Sequence, residues 1–241
     1  MAKVSVIIPA AGAGTRFGSR QNKIFERIGN GPVFIRTLEV FTSRTDVCQI
    51  LLVVSPADMA ETRERFGGPL GFMGVKLVEG GANRSQSVRN ALALVAAEAD
   101  LVCVHDAVRP CISQLWVDEV FAKADKTGAA ILAYPVHGTL KTVSKDGVIE
   151  QTLPRRELWE AQTPQVFRKD ILLAAYASGA EATDDSNLVE STGQAVSVVL
   201  GDPRNIKITT PRDLALAAAV ISSLPKPKLP GSGHPFDEAR W

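Results

Sequence analysis

Short β-branched apolar runs alternate along this chain with longer segments whose apolar residues recur at helical spacing. Val4-Ser5-Val6-Ile7-Ile8, residues 49–54, Val75-Lys76-Leu77-Val78, Leu101-Val102-Cys103-Val104-His105 and residues 129–136 predict buried strands. Between them, residues 33–44 carry Val33, Ile35, Leu38, Val40 and Phe41 on one stripe, and residues 57–66, 85–97 and 113–127 also predict helices. Gly67-Gly68-Pro69 is expected to end the second helix, and Ser113 to cap the fourth. This alternation predicts an α/β fold: a three-layer, Rossmann-like, mostly parallel sheet with helices on both faces.

The rhythm breaks over residues 138–159, where polar alternation surrounds Asp146-Gly147, a strong hairpin signal. Two strands cannot cover Val143, Val148, Ile149 and Leu153 by themselves, so this segment is read as a β-arm projecting from the sheet and joining a homodimer. Thr163-Pro164-Gln165 reads as a turn. Residues 169–178 predict a helix, and Thr183 before Asp184 and Asp185 is expected to cap another running to 191. Strands follow at 196–200 and 205–208, and Thr210-Pro211 opens a last helix. Residues 1–224 thus form one expected domain, and 225–241, with Pro-Lys-Pro-Lys and Gly-Ser-Gly, a disordered tail.

Composition narrows the partners. With 27 basic and 26 acidic residues the net charge is +1, so a cationic site has to be local, and a nucleic-acid surface is not expected. No apolar run approaches the roughly 18 residues of a membrane span, and the N-terminus enters a strand without signal-peptide zones, so the expected setting is cytoplasmic. Cys48, Cys103 and Cys111 lack metal or redox spacing and read as buried filler.

Candidate chemistry gathers where strands end. Pro9-Ala10-Ala11-Gly12-Ala13-Gly14-Thr15-Arg16-Phe17 follows the first strand, and Lys23 follows shortly after. Small residues there let backbone N–H groups approach an anion, while Arg16 and Lys23 add charge. Phe17 stands where a dinucleotide fingerprint needs glycine, and no Gly-Lys-Ser/Thr follows, so the loop is neither of the two familiar phosphate loops. His105-Asp106-Ala107-Val108-Arg109-Pro110 leaves a later strand at the same edge. Asp106 is a candidate ligand for Mg²⁺ on a triphosphate or an anchor for substrate, and Arg109 a bidentate phosphate ligand. His105 reads as a satisfied strand-end histidine. Lys207, between Ile206 and Ile208, points either to solvent or into the site.

The ordered motifs are Pro9-Ala10-Ala11-Gly12-x-Gly14-x-Arg16, Lys23, Gly80-Gly81-x-x-Arg84-x-x-Ser87-Val88, His105-Asp106-Ala107-x-Arg109-Pro110, Thr163-Pro164-Gln165, Thr183-Asp184 and Asn205-Ile206-Lys207-Ile208-Thr209. From about residue 3 to 220 this resembles the 2-C-methyl-D-erythritol 4-phosphate cytidylyltransferases of isoprenoid biosynthesis. The resemblance implies a nucleotidyltransferase that uses CTP and a polyol phosphate, helped by Mg²⁺, and releases pyrophosphate. It implies that Arg16 and Lys23 stabilise the α-phosphate and that Ala10, Ala11, Gly81 and Ser87 recognise cytosine, with Gly12 and Gly14 beside them. It implies an acceptor pocket of Asp106, Ala107, Arg109, Thr139, Arg155, Thr163 and Thr183, the arm residues crossing to a neighbouring subunit, with Lys207 on phosphates. Asn22-Lys23-Ile24 stands where Pro-Lys-Gln is usual, Ala82 where an acidic residue is frequent, and Gly138 where an aspartate commonly precedes the threonine. A ribitol 5-phosphate cytidylyltransferase and a catalytically silent nucleotide-binding protein are the alternative readings.

Overall fold

The apolar runs form strands because burial on both faces favours β-branched side chains, and the sheet they build is the frame of the molecule. The computed structural model describes residues 1–12, 17, 22–180 and 182–227. Strand β1 (Val4–Pro9) leads through a short 3₁₀ turn (Lys23–Phe25) and a two-residue ribbon, β2 (Arg27–Ile28) with β3 (Gly31–Pro32), into α1 (Val33–Thr42). β4 (Val47–Val54), α2 (Pro56–Phe72), β5 (Val75–Glu79), α3 (Arg84–Leu92), β6 (Leu101–Val104), α4 (Gln114–Thr127) and β7 (Ala129–Pro135) continue the alternation. A hairpin, β8 (Leu140–Val143) with β9 (Ile149–Leu153), precedes the long β10 (Trp159–Arg168). α5 (Lys169–Ala177), α6 (Asp185–Glu190), β11 (Ser197–Leu200) and α7 (Pro211–Val220) complete the fold.

Seven strands make the main sheet in the order β11-β7-β10-β6-β1-β4-β5. The β1–β4, β1–β6, β4–β5 and β11–β7 pairs are parallel, whereas β10 runs antiparallel to both β6 and β7. Period-2 alternation in β1 sends Val4, Val6 and Ile8 into one core and Ile7 into the other. The first core packs against α1, α4 and α7 with Leu70 of α2; the second packs against α3, α5 and α6. The expected three-layer α/β architecture is what forms. Among the described residues no helix is long and apolar enough to cross a membrane.

Several boundaries differ from expectation, each for a local reason. α2 continues through Gly67, Gly68 and Pro69, because Ser55 caps its start and Leu70 beyond the breakers is buried in the core. α3 stops at Leu92 rather than 97; the Gln49 side chain accepts from Ala96 N–H and donates to the Leu94 carbonyl, holding that stretch out of helix. Asp184, not Thr183, caps α6 by accepting from Asn187 N–H, since it occupies the extended position before the first turn. Thr163-Pro164-Gln165 lies inside β10 with a cis Thr163–Pro164 bond, and the pairing with β7 shifts register between Ala161 and Gln165. Residues 205–208 form no strand; Ile208 N–H instead donates to the Val108 carbonyl. Cys103 and Cys111 are buried as expected, but Cys48 is exposed at the start of β4, before that strand enters the core. The capped starts of α4 at Ser113 and α7 at Thr210-Pro211 form as read.

The hairpin turns at Gly147, whose φ of 80° suits glycine, and pairs Leu140 with Leu153 in a two-stranded sheet of its own. Residues 225–227 are described, and the Pro225 carbonyl accepts from the Ser113 hydroxyl; the tail from 228 onward lies outside the described residues.

Candidate active site

The chain runs from β1 to β4 and β5 on one side of the sheet and then returns to place β6 on the other, so the loops after β1 and β6 diverge at a topological switch point. Open α/β sheets bind ligands at the carboxyl ends of strands at such a place. Here a cavity of about 340 Å³ is lined by Ala10, Ala11 and Gly12 after β1, by Lys23, by Arg84 and Ser87 of α3, and by Asp106 and Lys207. Two larger cavities, about 670 and 660 Å³, lie away from this edge. One surrounds Arg44 at the starts of β1, β4 and β6, and the other lies between α1, α2 and the β2–β3 ribbon.

One wall is backbone held at close range. Gly80 donates to the Val54 carbonyl, and a Cβ there would fall 2.6 Å from the Ala11 Cβ, so only glycine lets the loops after β1 and β5 meet. Gly81 N–H donates to the Ser87 hydroxyl at 3.1 Å, and Asn83 caps α3 through Gln86 N–H. The small residues Ala10, Ala11 and Gly12 thus line the cavity, with the Gly80-Gly81 backbone fixed behind them.

The opposite wall is a knot of charge. Asp106 is buried, and Lys207 Nζ lies 2.8 Å from its carboxylate, Arg109 Nε 3.6 Å and Arg84 Nε 3.7 Å. Burial alone pushes the Asp106 carboxyl up, but Lys207, Arg84 and Arg109 outweigh it and hold the group well below the usual carboxylate range. Arg84 also bonds Asp185 at 2.7 Å, and that fully buried carboxylate accepts from the Tyr176 hydroxyl at 2.5 Å. Burial opposes the charge on Arg84, yet Asp185 and Asp106 together raise its pKa. For Arg109 burial dominates and the pKa falls; Nη1 donates to the Asn205 carbonyl at 2.6 Å, while the buried Nε has no hydrogen-bond partner.

Behind the knot His105 is fully buried, with Nε2 3.1 Å from the Arg109 carbonyl and Nδ1 3.0 Å from the Thr163 hydroxyl. A carbonyl can only accept, so Nε2 carries the proton and Thr163 donates to Nδ1. The same hydroxyl accepts from Asp106 N–H at 3.1 Å. Burial lowers the His105 pKa to about 4, so the ring is neutral and structural, as the sequence suggested. The Asn205 amide donates to the Thr163 carbonyl at 2.9 Å, which docks the 205–208 segment beside Asp106.

Of the expected site residues, Ala10, Ala11, Gly12, Lys23, Ser87, Asp106 and Lys207 come together around the cavity, with Gly81 bonded to Ser87 and Ala107 buried beside Asp106. Lys207, open between solvent and site in the sequence, points into the site. Thr163 sits behind Asp106. Thr183 is exposed before the cap of α6, and Thr139 and Arg155 belong to the ends of the hairpin segment, where Arg155 donates to the His137 carbonyl; none of these three lines the cavity. Gly14 and Arg16 lie outside the described residues. Sequence reasoning missed Arg84 as a site residue, together with its buried partners Asp185 and Tyr176. Arg84 stood within the quoted Gly-Gly motif, but its partner lies 101 positions away, beyond any local spacing rule.

A family model described as 2-C-methyl-D-erythritol 4-phosphate cytidylyltransferase matches residues 4–223. A protein of that name from Rhodopirellula baltica is 46% identical over 234 residues, covering 92% of this chain and 96% of the relative. Another from Syntrophotalea carbinolica is 41% identical over 226 residues, covering 91% of this chain and 97% of the relative. The crystal structure of the enzyme of that name from Thermus thermophilus superposes with a TM-score of 0.77 at 34% identity, covering 91% of this chain and 99% of the other.

Proposed function

The chain belongs to the 2-C-methyl-D-erythritol 4-phosphate cytidylyltransferase family, and from that premise we propose that it transfers the cytidylyl group of CTP to 2-C-methyl-D-erythritol 4-phosphate and releases pyrophosphate. One oxygen of the acceptor phosphate attacks the α-phosphorus in line. The bond from that phosphorus to the bridging oxygen breaks, and its electron pair leaves with pyrophosphate. The nucleophile is already an anion, so the reaction needs no general base; it needs fixed cations that offset repulsion and the charge growing at the α-phosphate.

The observation that carries this reading is the cationic set around buried Asp106, facing a backbone wall across one cavity. Lys23 and Arg16 are assigned to the α-phosphate and Lys207 to phosphate oxygens. Ala10, Ala11, Gly12, Gly14, Gly81 and Ser87 are assigned to cytosine and the adjoining nucleotide. Asp106, Ala107, Arg109, Thr163 and Thr183 are assigned to the acceptor, with Thr139 and Arg155 offered by the arm of a second copy. Support for that homodimer is the apolar surface of the arm, where Val143, Val148 and Ile149 are exposed. The setting we assign is cytoplasmic.

Mg²⁺ belongs to the proposal as a companion of CTP that shields triphosphate charge. The described residues do not build a cage for it: no three His, Cys, Asp or Glu side chains gather as a metal group, and Asp106 already faces three cations. Asp106 therefore fits an anchor for the cationic side chains better than the metal ligand expected from the sequence.

Pyrophosphate release measured with CTP, ATP, GTP and UTP, each against methylerythritol phosphate and ribitol 5-phosphate, tests the reading. Turnover is expected with CTP and methylerythritol phosphate; preference for ribitol 5-phosphate reassigns the acceptor, and no release from any pair overturns the enzyme. Lys23→Ala is expected to lower kcat by about 10²–10³-fold with the KM for CTP within a few-fold, because the charge it meets grows in the transition state. A change confined to KM overturns the role of Lys23.

A further inference from the structure

Lys23 sits on a short 3₁₀ turn, Lys23–Phe25, and the turn is fastened from both sides. On the C-terminal side the anchor is apolar. Ile24 and Phe25 are buried, the Phe25 ring stacks on Phe66 at 5.7 Å and meets the Phe34 edge at 5.9 Å. Glu26 closes the turn on the Lys23 carbonyl and accepts from Val33 N–H at the start of α1. These contacts prevent the chain after Lys23 from sliding.

On the N-terminal side, among the described residues, the polar side chain of Asn22 fastens the turn. Its Oδ1 accepts from Ile24 N–H at 3.3 Å, which caps the turn. Its Nδ2 has two hydrogens and spends them separately, on the Gly12 carbonyl at 3.2 Å and on Asp58 Oδ2 at 2.8 Å. Asp58 lies in the first turn of α2, and the same oxygen accepts from the Ser55 hydroxyl at 2.7 Å. Gly12 ends the backbone wall of the cavity, and Lys23 is the next residue after Asn22. One amide therefore ties the wall, a rigid helix and the residue bearing the Lys23 side chain.

We propose that Asn22 and Asp58 form a positioning latch that sets the distance between the Gly12 wall and Lys23, and that this latch is part of how Lys23 meets the transition state. The proposal rests on the role given to Lys23 above. The Asn22–Asp58 bond uses a carboxylate acceptor, which is the stronger class of hydrogen bond, and it lies outside the pocket where no substrate has to displace it. Misplacement of a charge by an ångström can cost about 10²-fold in rate, so a latch needs little binding energy of its own to matter.

The test is a set of kcat and KM measurements on Asn22→Ala, Asn22→Ser, Lys23→Ala and the double variant Asn22→Ala/Lys23→Ala, with thermal unfolding of each. Asn22→Ala is expected to lower kcat about 10-fold with little change in the KM for CTP, since Lys23 is displaced rather than removed. Asn22→Ser retains a cap acceptor but, with a single O–H on a shorter side chain, cannot make both donations, and is expected to lose most of the same activity. In the Lys23→Ala background the Asn22 substitution should cost nothing further, an outcome that a general folding role does not produce. Asn22→Asp sets a carboxylate against both Asp58 and the Gly12 carbonyl; adding Asp58→Asn restores a donor and an acceptor in the 22–58 tie alone, and is expected to recover several-fold, but not all, of the lost kcat. Full activity in Asn22→Ser, an undiminished Asn22 effect without Lys23, or no recovery in the swapped pair overturns the latch. A Lys23→Ala enzyme with unchanged kcat overturns the premise about Lys23, whereas a crippled Lys23→Ala enzyme beside a fully active Asn22→Ala enzyme overturns the latch alone.

Discussion

The carboxyl edge of the sheet and the β8–β9 hairpin are made of similar polar and apolar residues, yet they are held together by different physics. At the edge, Val6, Ile7 and Ile8 are 0% exposed, and the charged groups that follow them interlock around Asp106 at distances of 2.8–3.7 Å. In the hairpin, Val143, Val148 and Ile149 are 52–63% exposed, and the described contacts are a short ladder with few side-chain bonds. Full burial of such a side chain stabilises by about 1.5–3 kcal/mol, most of which these three forgo in a single chain. The edge fixes charges in place by burial, whereas the hairpin leaves its apolar side chains in solvent.

Removing the centre of the knot separates the two regions most sharply. Asp106→Asn leaves Lys207 and Arg109 without a carboxylate and Arg84 with Asp185 alone, and the loss of one partner of a buried ion pair is expected to cost about 3 kcal/mol, read as a fall in the urea midpoint, alongside a large fall in activity. An unchanged midpoint means that the three cations find other partners and that the knot contributes little to stability.

The neutral buried histidine supplies a smaller effect with a defined sign. The His105 pKa is about 4 in the folded chain and 6.5 in its unperturbed form, so between those values the unfolded chain binds the extra proton. Stability is therefore full above about pH 6.5 and declines as the pH falls toward 4, by about 1.4 kcal/mol per pH unit within that window. Urea titrations at pH 7, 6 and 5 measure the slope, and His105→Gln should flatten it. A slope that survives the substitution belongs to another group.

The hairpin is probed by subunit mixing. Arg155→Ala and Lys23→Ala enzymes, each nearly inactive alone, are expected to regain about a quarter of wild-type activity when unfolded and refolded together, because a random mixture of twofold dimers contains that share of sites with both groups intact. A mixture no better than its components means that Arg155 serves its own subunit or none. The smallest change expected is in Val148→Ser, which should leave the stability of the isolated chain within about 0.5 kcal/mol while weakening the proposed dimer, as read by light scattering. Dimers untouched by it move the interface off the arm.

Much of both regions was legible in the chain itself. Strand and helix alternation follows from short β-branched runs and 3.6-residue stripes, and those signals are local; so β1, β4, β6, α1, α4 and the Asp146-Gly147 hairpin fall where the pattern places them. Pro9 to Gly12 and His105 to Arg109 were readable as site segments for the same reason, since a strand that ends in small or charged residues declares its own edge. Lys207 was half legible. Its neighbours suggested a strand, whereas the 205–208 segment is held by Asn205 on the Thr163 carbonyl and Ile208 on the Val108 carbonyl, bonds that no periodicity encodes.

The sequence by itself determined most of the strand and helix alternation up to β7, the two-faced sheet and the loops that carry the charges, because each depends on residues a few positions apart; the strand β10 and the non-strand form of residues 205–208 were not among them. Tertiary structure alone decided that β10 slots antiparallel between β6 and β7, that Arg84 reaches across 101 positions to Asp185, and that Asn22 bonds both Gly12 and Asp58 beside Lys23. Those are contacts between distant segments, and a hydrogen bond or ion pair of that kind exists only once the hydrophobic core has brought its two ends together.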